Sequence, residues 1–142
     1  ELARGELLGA LENMKDHMFF NLIPFNEKVS PLWPGSRKVT EGNRKVVAAW
    51  AESVKPKGAT NLFDSLAKAI TTSRVDTIFV LSDGAPTTGE FVRNRDILEE
   101  LRRLNATRQV TIHTIGLGFE SELLALLAEE NLGEHVVAGK EP

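Results

Sequence analysis

An α/β fold, a three-layer arrangement with a mostly parallel, doubly wound sheet and helices on both faces, is predicted by three features of the chain. Apolar stretches of strand length alternate with segments whose apolar residues recur at helical spacing. The stretch VDTIFVLS is almost continuously apolar, as strands are when both faces of a parallel sheet are covered. The order strand, helix, strand then repeats towards the C-terminal end, which calls for crossover connections rather than hairpins. The 142 residues, 42% hydrophobic and 26% charged, suit one domain with one core, and 1–142 is read as a single domain without repeats or low-complexity stretches.

The elements follow in order. Leu7, Leu8, Leu11 and Met14 predict an amphipathic helix over residues 2–15. MFFNLIPF is aromatic and β-branched enough for a buried strand, and NEKVSPLWPG after it reads as a turn into an irregular return strand, with Pro31 and Pro34 suited to a sheet edge. Thr40 is placed to cap a helix whose face carries Val46, Val47, Trp50 and Val54 and which stops before Pro56; residues 55–58 read as a loop. From Asn61, the spacing of Phe63, Leu66, Ala67 and Ile70 predicts a third helix, and VDTIFVLS the next strand. Asn94 is placed to cap a helix bearing Ile97, Leu98, Leu101 and Leu104, charge-rich on its outer face. VTIHTIGLG supplies a strand, Leu123, Leu124 and Leu127 a helix ending near Gly133, and HVVA a last short strand.

Composition excludes several partners. The net charge is −3 and the 17 basic residues are scattered, so there is no electrostatic footprint for nucleic acid. No apolar run approaches the ~18 residues that span a bilayer, so no membrane insertion is expected. Without cysteine there are no disulfides or thiolate ligands.

Chemistry is expected at the carboxyl ends of the strands, where loops converge in open α/β sheets. Asp83 stands there, after TIFVLS; an acid in that place needs a cation, a hydrogen-bond nest or water, and the bland alternative is a turn cap with Gly84. In GATNLFDSL, Thr60 lies in a glycine-containing loop at a helix start, where a threonine alone is more often an N-cap than a ligand. A hydroxyl and a carboxylate on neighbouring loops are hard oxygen donors of the kind Mg²⁺ and Mn²⁺ prefer. Asp64, one turn on, reads as a first-turn acid favoured by the helix dipole rather than as a second layer behind an ion. Thr87 and Thr88, in the loop after Asp83, are candidates for a partner-binding rim and equally for ordinary turn residues.

Other sites weigh less. His113 falls within a strand, where a hydrogen-bonded histidine is commoner than a catalytic one. Ser82 and Asp83 are adjacent in a strand and point to opposite faces, so a Ser82–His113–Asp83 triad does not converge. GLGFES lacks the third glycine and the lysine of a phosphate loop, and Gly116 and Gly118 read as a tight strand-to-helix turn.

GATNLFDSLAKAI, then VDTIFVLSDGAPTTGE, then VTIHTIGLG resemble the later part of a von Willebrand factor A-type domain, the fold of integrin inserted domains, and in style its bacterial members. The resemblance implies a metal-ion-dependent adhesion site, in which a divalent cation at the top of the sheet is held by three loops and completed by a carboxylate from a partner protein. Thr60 matches the second-loop threonine, which binds metal directly, and Asp83 the third-loop aspartate, which acts through water. The first loop, Asp-x-Ser-x-Ser after a central strand, has no counterpart before the helix at 2–15. Thr60 and Asp83 alone are therefore expected to hold Mg²⁺ or Mn²⁺ weakly or not at all.

By the family's order the missing strand lies between FFNLIPF and TIFVLSD, in mid-sheet. Leaving about ten backbone groups unpaired at ~1–3 kcal/mol each exceeds the ~5–15 kcal/mol of a domain. The expected explanation is a strand preceding Glu1; the others are a partner strand, direct pairing of the flanking strands, or a homodimer by strand exchange. The function implied is protein binding or scaffolding towards an acidic side chain, without enzymatic activity. The alternatives are a Mg²⁺-dependent phosphoryl-transfer enzyme using Asp83, and a structural module with a degenerate metal site.

Overall fold

The third helix shows how the sequence builds the larger core. In a computed structural model, which describes residues 2–24, 29–53, 59–82 and 85–139, α3 (Leu62–Thr71) turns Leu62, Phe63, Leu66 and Ile70 to one side and buries all four. They meet Val80 of β3 (Thr77–Ser82), Ile97 and Leu101 of α4 (Asn94–Arg108), Ile112 of β4 (Thr111–Leu117), and Leu123, Leu124 and Leu127 of α5 (Glu122–Glu130). With β5 (His135–Ala138), β3 and β4 form a parallel sheet in the order β3-β4-β5, registered Thr77 to Thr111 and Thr114 to His135. Parallel pairing with a helix in each crossover is the α/β class expected.

The other part of the chain makes a second, smaller core. Helix α1 (Leu2–Asn13) and helix α2 (Glu41–Ser53) flank a two-stranded antiparallel sheet of β1 (Phe19–Phe20) and β2 (Arg37–Lys38). Leu11, Phe20, Trp33, Val39 and Val47 are its buried centre, with Phe20 and Trp33 edge to face at 5.2 Å. Arg44 of α2 donates to the carbonyls of Leu11 (3.3 Å) and Met14 (2.8 Å), fastening α2 to the end of α1. Asn21 holds the return segment by donating to Trp33 O at 2.9 Å and accepting from Trp33 N–H at 3.2 Å.

Three expectations need correction. The strand expected over MFFNLIPF is two residues long among the described residues, its ladder giving way at Asn21 to side-chain bonds with Trp33. Asn94 is the first helical residue of α4 rather than its cap; Arg93 holds the cap position without a side-chain hydrogen bond. Of the alternatives to a preceding strand, direct pairing of the strands that flank the expected gap is not found among the described residues, where β1-β2 and β3-β4-β5 are separate sheets. Other expectations hold. Thr40 Oγ1 accepts from Asn43 N–H at 3.1 Å at the start of α2, as a cap does. A side chain at Gly116 would overlap the Phe119 carbonyl, and Gly118 has φ +81°, so both serve the tight turn after β4.

Candidate metal and partner-binding site

The loop that leads into α3 and the loop that follows β3 are stitched together through the backbone. Thr60 N–H donates to Thr87 Oγ1 at 2.8 Å, and Thr60 C=O accepts from Thr87 N–H at 2.9 Å and Thr88 N–H at 3.2 Å. Thr60, two residues before α3, is thereby fixed against the segment a few residues beyond the carboxyl end of β3. Thr60, Thr87 and Thr88, three of the residues singled out in the sequence, form one cluster.

Thr60 is not the cap of α3. Asn61 is: its Oδ1 accepts from Asp64 N–H at 3.1 Å, while its Nδ2 donates to Asp64 Oδ2 at 2.8 Å. Among the described residues no hydrogen bond involves the Thr60 hydroxyl. Asp64 does more than favour the helix dipole, because its Oδ1 accepts from Glu90 N–H at 3.2 Å and ties the two loops a second time. Phe63 and Phe91 close the base edge to face at 4.7 Å.

Gly89 completes the latch. Its φ of +113° suits glycine, and a Cβ there would overlap Oδ1 of the buried Asn61. Replacing Gly89 with alanine is expected to cost about 1–3 kcal/mol, the range for a strained backbone position, and to free Asn61 from its cap. Urea unfolding measures the first effect, and amide exchange at Asp64 the second.

Asp83 follows the last residue of β3 and lies, with Gly84, outside the described residues. Ser82, buried and in register with Gly116, is on the sheet face that also buries Val80, Ile112 and Thr114. His113 alternates to the other face, where it stacks on Phe79 at 4.9 Å and accepts from Glu134 N–H at 3.0 Å through Nδ1. Ser82 and His113 therefore do not converge, and His113 is the hydrogen-bonded strand histidine expected.

Among the described residues there is no group of three or more His, Cys, Asp or Glu side chains able to hold a metal ion. The Thr60 hydroxyl is a hard oxygen of the kind Mg²⁺ prefers, and the Asp64 carboxylate near it is hydrogen-bonded to Asn61 and to Glu90 N–H. Nothing local in the sequence joins Asn61, Asp64 and Gly89 into a unit. The readable signal was an amide at the cap position with an acid three residues on.

A family model for the von Willebrand factor type A domain matches residues 3–136. The human von Willebrand factor A domain-containing protein 3A is 26% identical over 98 residues, covering 69% of this chain and 8% of its own length. The human inter-alpha-trypsin inhibitor heavy chain H2 is 23% identical over 137 residues, covering 87% of this chain and 14% of its own. The chain thus spans a small part of these relatives. The solved von Willebrand factor type A structure from Catenulispora acidiphila superposes with a TM-score of 0.78 at 18% identity, over 96% of this chain and 33% of that one. With the two stitched loops at the head of a parallel sheet, the match places the chain in the von Willebrand factor type A domain family.

Proposed function

We propose that the chain is a protein-recognition module whose contact surface is the rim of Thr60, Thr87 and Thr88, with Mg²⁺ or Mn²⁺ held at Thr60 and Asp83 and completed by a carboxylate of the partner. The observation that carries this reading is the backbone stitch between Thr60 and the loop after β3, which fixes a hydroxyl with no hydrogen bond among the described residues next to the segment that begins with Asp83. Thr60 Oγ1 would bind the ion directly and the Asp83 carboxylate through water, and the ion would supply an electrostatic bridge to an acidic side chain, with the Thr87 and Thr88 hydroxyls offered to the partner at the rim. No step of bond making is needed, so the function is binding rather than catalysis.

Because the partner's carboxylate fills part of the coordination shell, metal and carboxylate each raise the other's affinity by the same factor. Titration calorimetry of Mg²⁺ into the chain, with and without acetate as the carboxylate probe, tests this. Tighter metal binding in acetate is expected. No heat at millimolar metal in either condition removes the site from this chain and leaves a structural module with a degenerate site.

A further inference from the structure

On the reading of Thr60, Thr87 and Thr88 as the contact rim, we propose that Asp64 is its positioning residue. Paired with Asn61, Asp64 sets where the loop after β3 stands against Thr60. It touches neither ion nor partner and acts through the backbone of Glu90.

Among the described residues, the hydrogen bonds that fasten residues 85–92 to other parts of the chain end on Thr60 or on Asp64. The two anchors differ in what holds them. Thr60 belongs to the rim itself, whereas Asp64 stands in the first turn of α3, whose Leu62, Phe63, Leu66 and Ile70 are buried. Glu90 N–H, donating to Asp64 Oδ1 at 3.2 Å, therefore ties the loop to the core. Gly89 lies between the anchors with φ +113°, so close to Asn61 that a Cβ would overlap its Oδ1. The bend of the loop is pressed onto the Asn61–Asp64 pair.

The pair has a fixed polarity. Asn61 Oδ1 accepts from Asp64 N–H at 3.1 Å and Asn61 Nδ2 donates to Asp64 Oδ2 at 2.8 Å, which leaves Asp64 Oδ1 for Glu90 N–H. Both side-chain oxygens at position 64 accept, so the site requires a carboxylate there and an amide at position 61. Asp64→Asn keeps the shape but turns its NH₂ onto either Asn61 Nδ2 or Glu90 N–H, donor against donor. Exchanging the two side chains, Asn61→Asp with Asp64→Asn, restores every bond. The carboxylate at position 61 then accepts from the backbone and side-chain N–H groups at position 64, whose amide oxygen accepts from Glu90.

Amide hydrogen exchange without metal, with Mg²⁺ titration in acetate as a second arm, tests this on the parent, Asp64→Asn and the exchanged pair. Asp64→Asn should speed exchange at Thr87 and Thr88 about tenfold or more, the factor for losing one hydrogen bond to a charged group, although their acceptor, Thr60 O, is unchanged. Mg²⁺ affinity should fall by about tenfold or more, as when a group supporting a ligand is lost. The exchanged pair should bring back slow exchange at both threonines. Faster exchange confined to the first turn of α3 makes Asp64 a partner of the helix cap and overturns the proposal, as does an exchanged pair no better than Asp64→Asn. A parent that takes up no Mg²⁺ while its variants exchange as expected removes the metal reading and supports Asp64 as the residue that positions the loop.

Discussion

Replacing Asp83 with alanine is expected to lower Mg²⁺ or Mn²⁺ affinity about 10–100-fold, the usual cost of losing a carboxylate that acts on a metal through its outer shell. Thr60→Val, which keeps the shape and removes the hydroxyl, should lower it at least as much, since a direct donor is lost. Neither change touches the Thr60 backbone bonds to Thr87 and Thr88 or the Asn61 cap. The thermal transition should therefore stay within a few degrees of the parent while calorimetric binding falls. Affinity unchanged in both variants moves the ion elsewhere.

The largest effect on stability is expected far from that site. Asn105 is buried at the end of α4, where its Oδ1 accepts from Val110 N–H at 2.8 Å and its Nδ2 donates to Val110 O at 2.8 Å and to Asn131 Oδ1 at 2.7 Å. Asn131, also buried, passes the chain on to Leu127 O at 2.7 Å. The network fastens the turn between α4 and β4 to the end of α5. Asn105→Ala strands two groups of Val110 and the Asn131 carbonyl, and at about 1–3 kcal/mol for each unsatisfied group it should cost at least about 3 kcal/mol overall. That is a large share of the ~5–15 kcal/mol of a domain. The urea midpoint should fall with little change in slope. A loss below about 1 kcal/mol would mean that water replaces the amide without strain.

The sequence made the parallel core readable because its signals are local and periodic. Phe63, Leu66 and Ile70 recur at helical spacing, and TIFVLS is a continuous apolar run, so α3 and β3 fall where expected. MFFNLIPF was read as a longer strand because aromatic and β-branched residues favour the extended backbone. A strand also needs a ladder, and among the described residues the regular one covers Phe19 and Phe20, opposite Lys38 and Arg37.

At the candidate site, Thr60, Thr87 and Thr88 were legible from order in the chain, but their mutual bonding was not. Threonine is as common in turns as at ligands, and nothing local ties residue 60 to residue 87. Asn61 stands beside a threonine with equal claim to the cap, and Asp64 three residues later decides between them. Asn105 and Asn131, two amides of a buried network, are 26 residues apart and leave no periodic trace.

Paramagnetic broadening by Mn²⁺ tests the central claim most directly, because it reports where the ion sits. With substoichiometric Mn²⁺, the amide signals of Thr60, Asn61, Thr87 and Thr88 should vanish first, and those of Thr77 and Thr111 at the opposite ends of β3 and β4 should persist. Thr60→Val with Asp83→Ala should restore the lost signals. Uniform broadening, or loss centred on any other part of the chain, would contradict a cation site at Thr60 and Asp83.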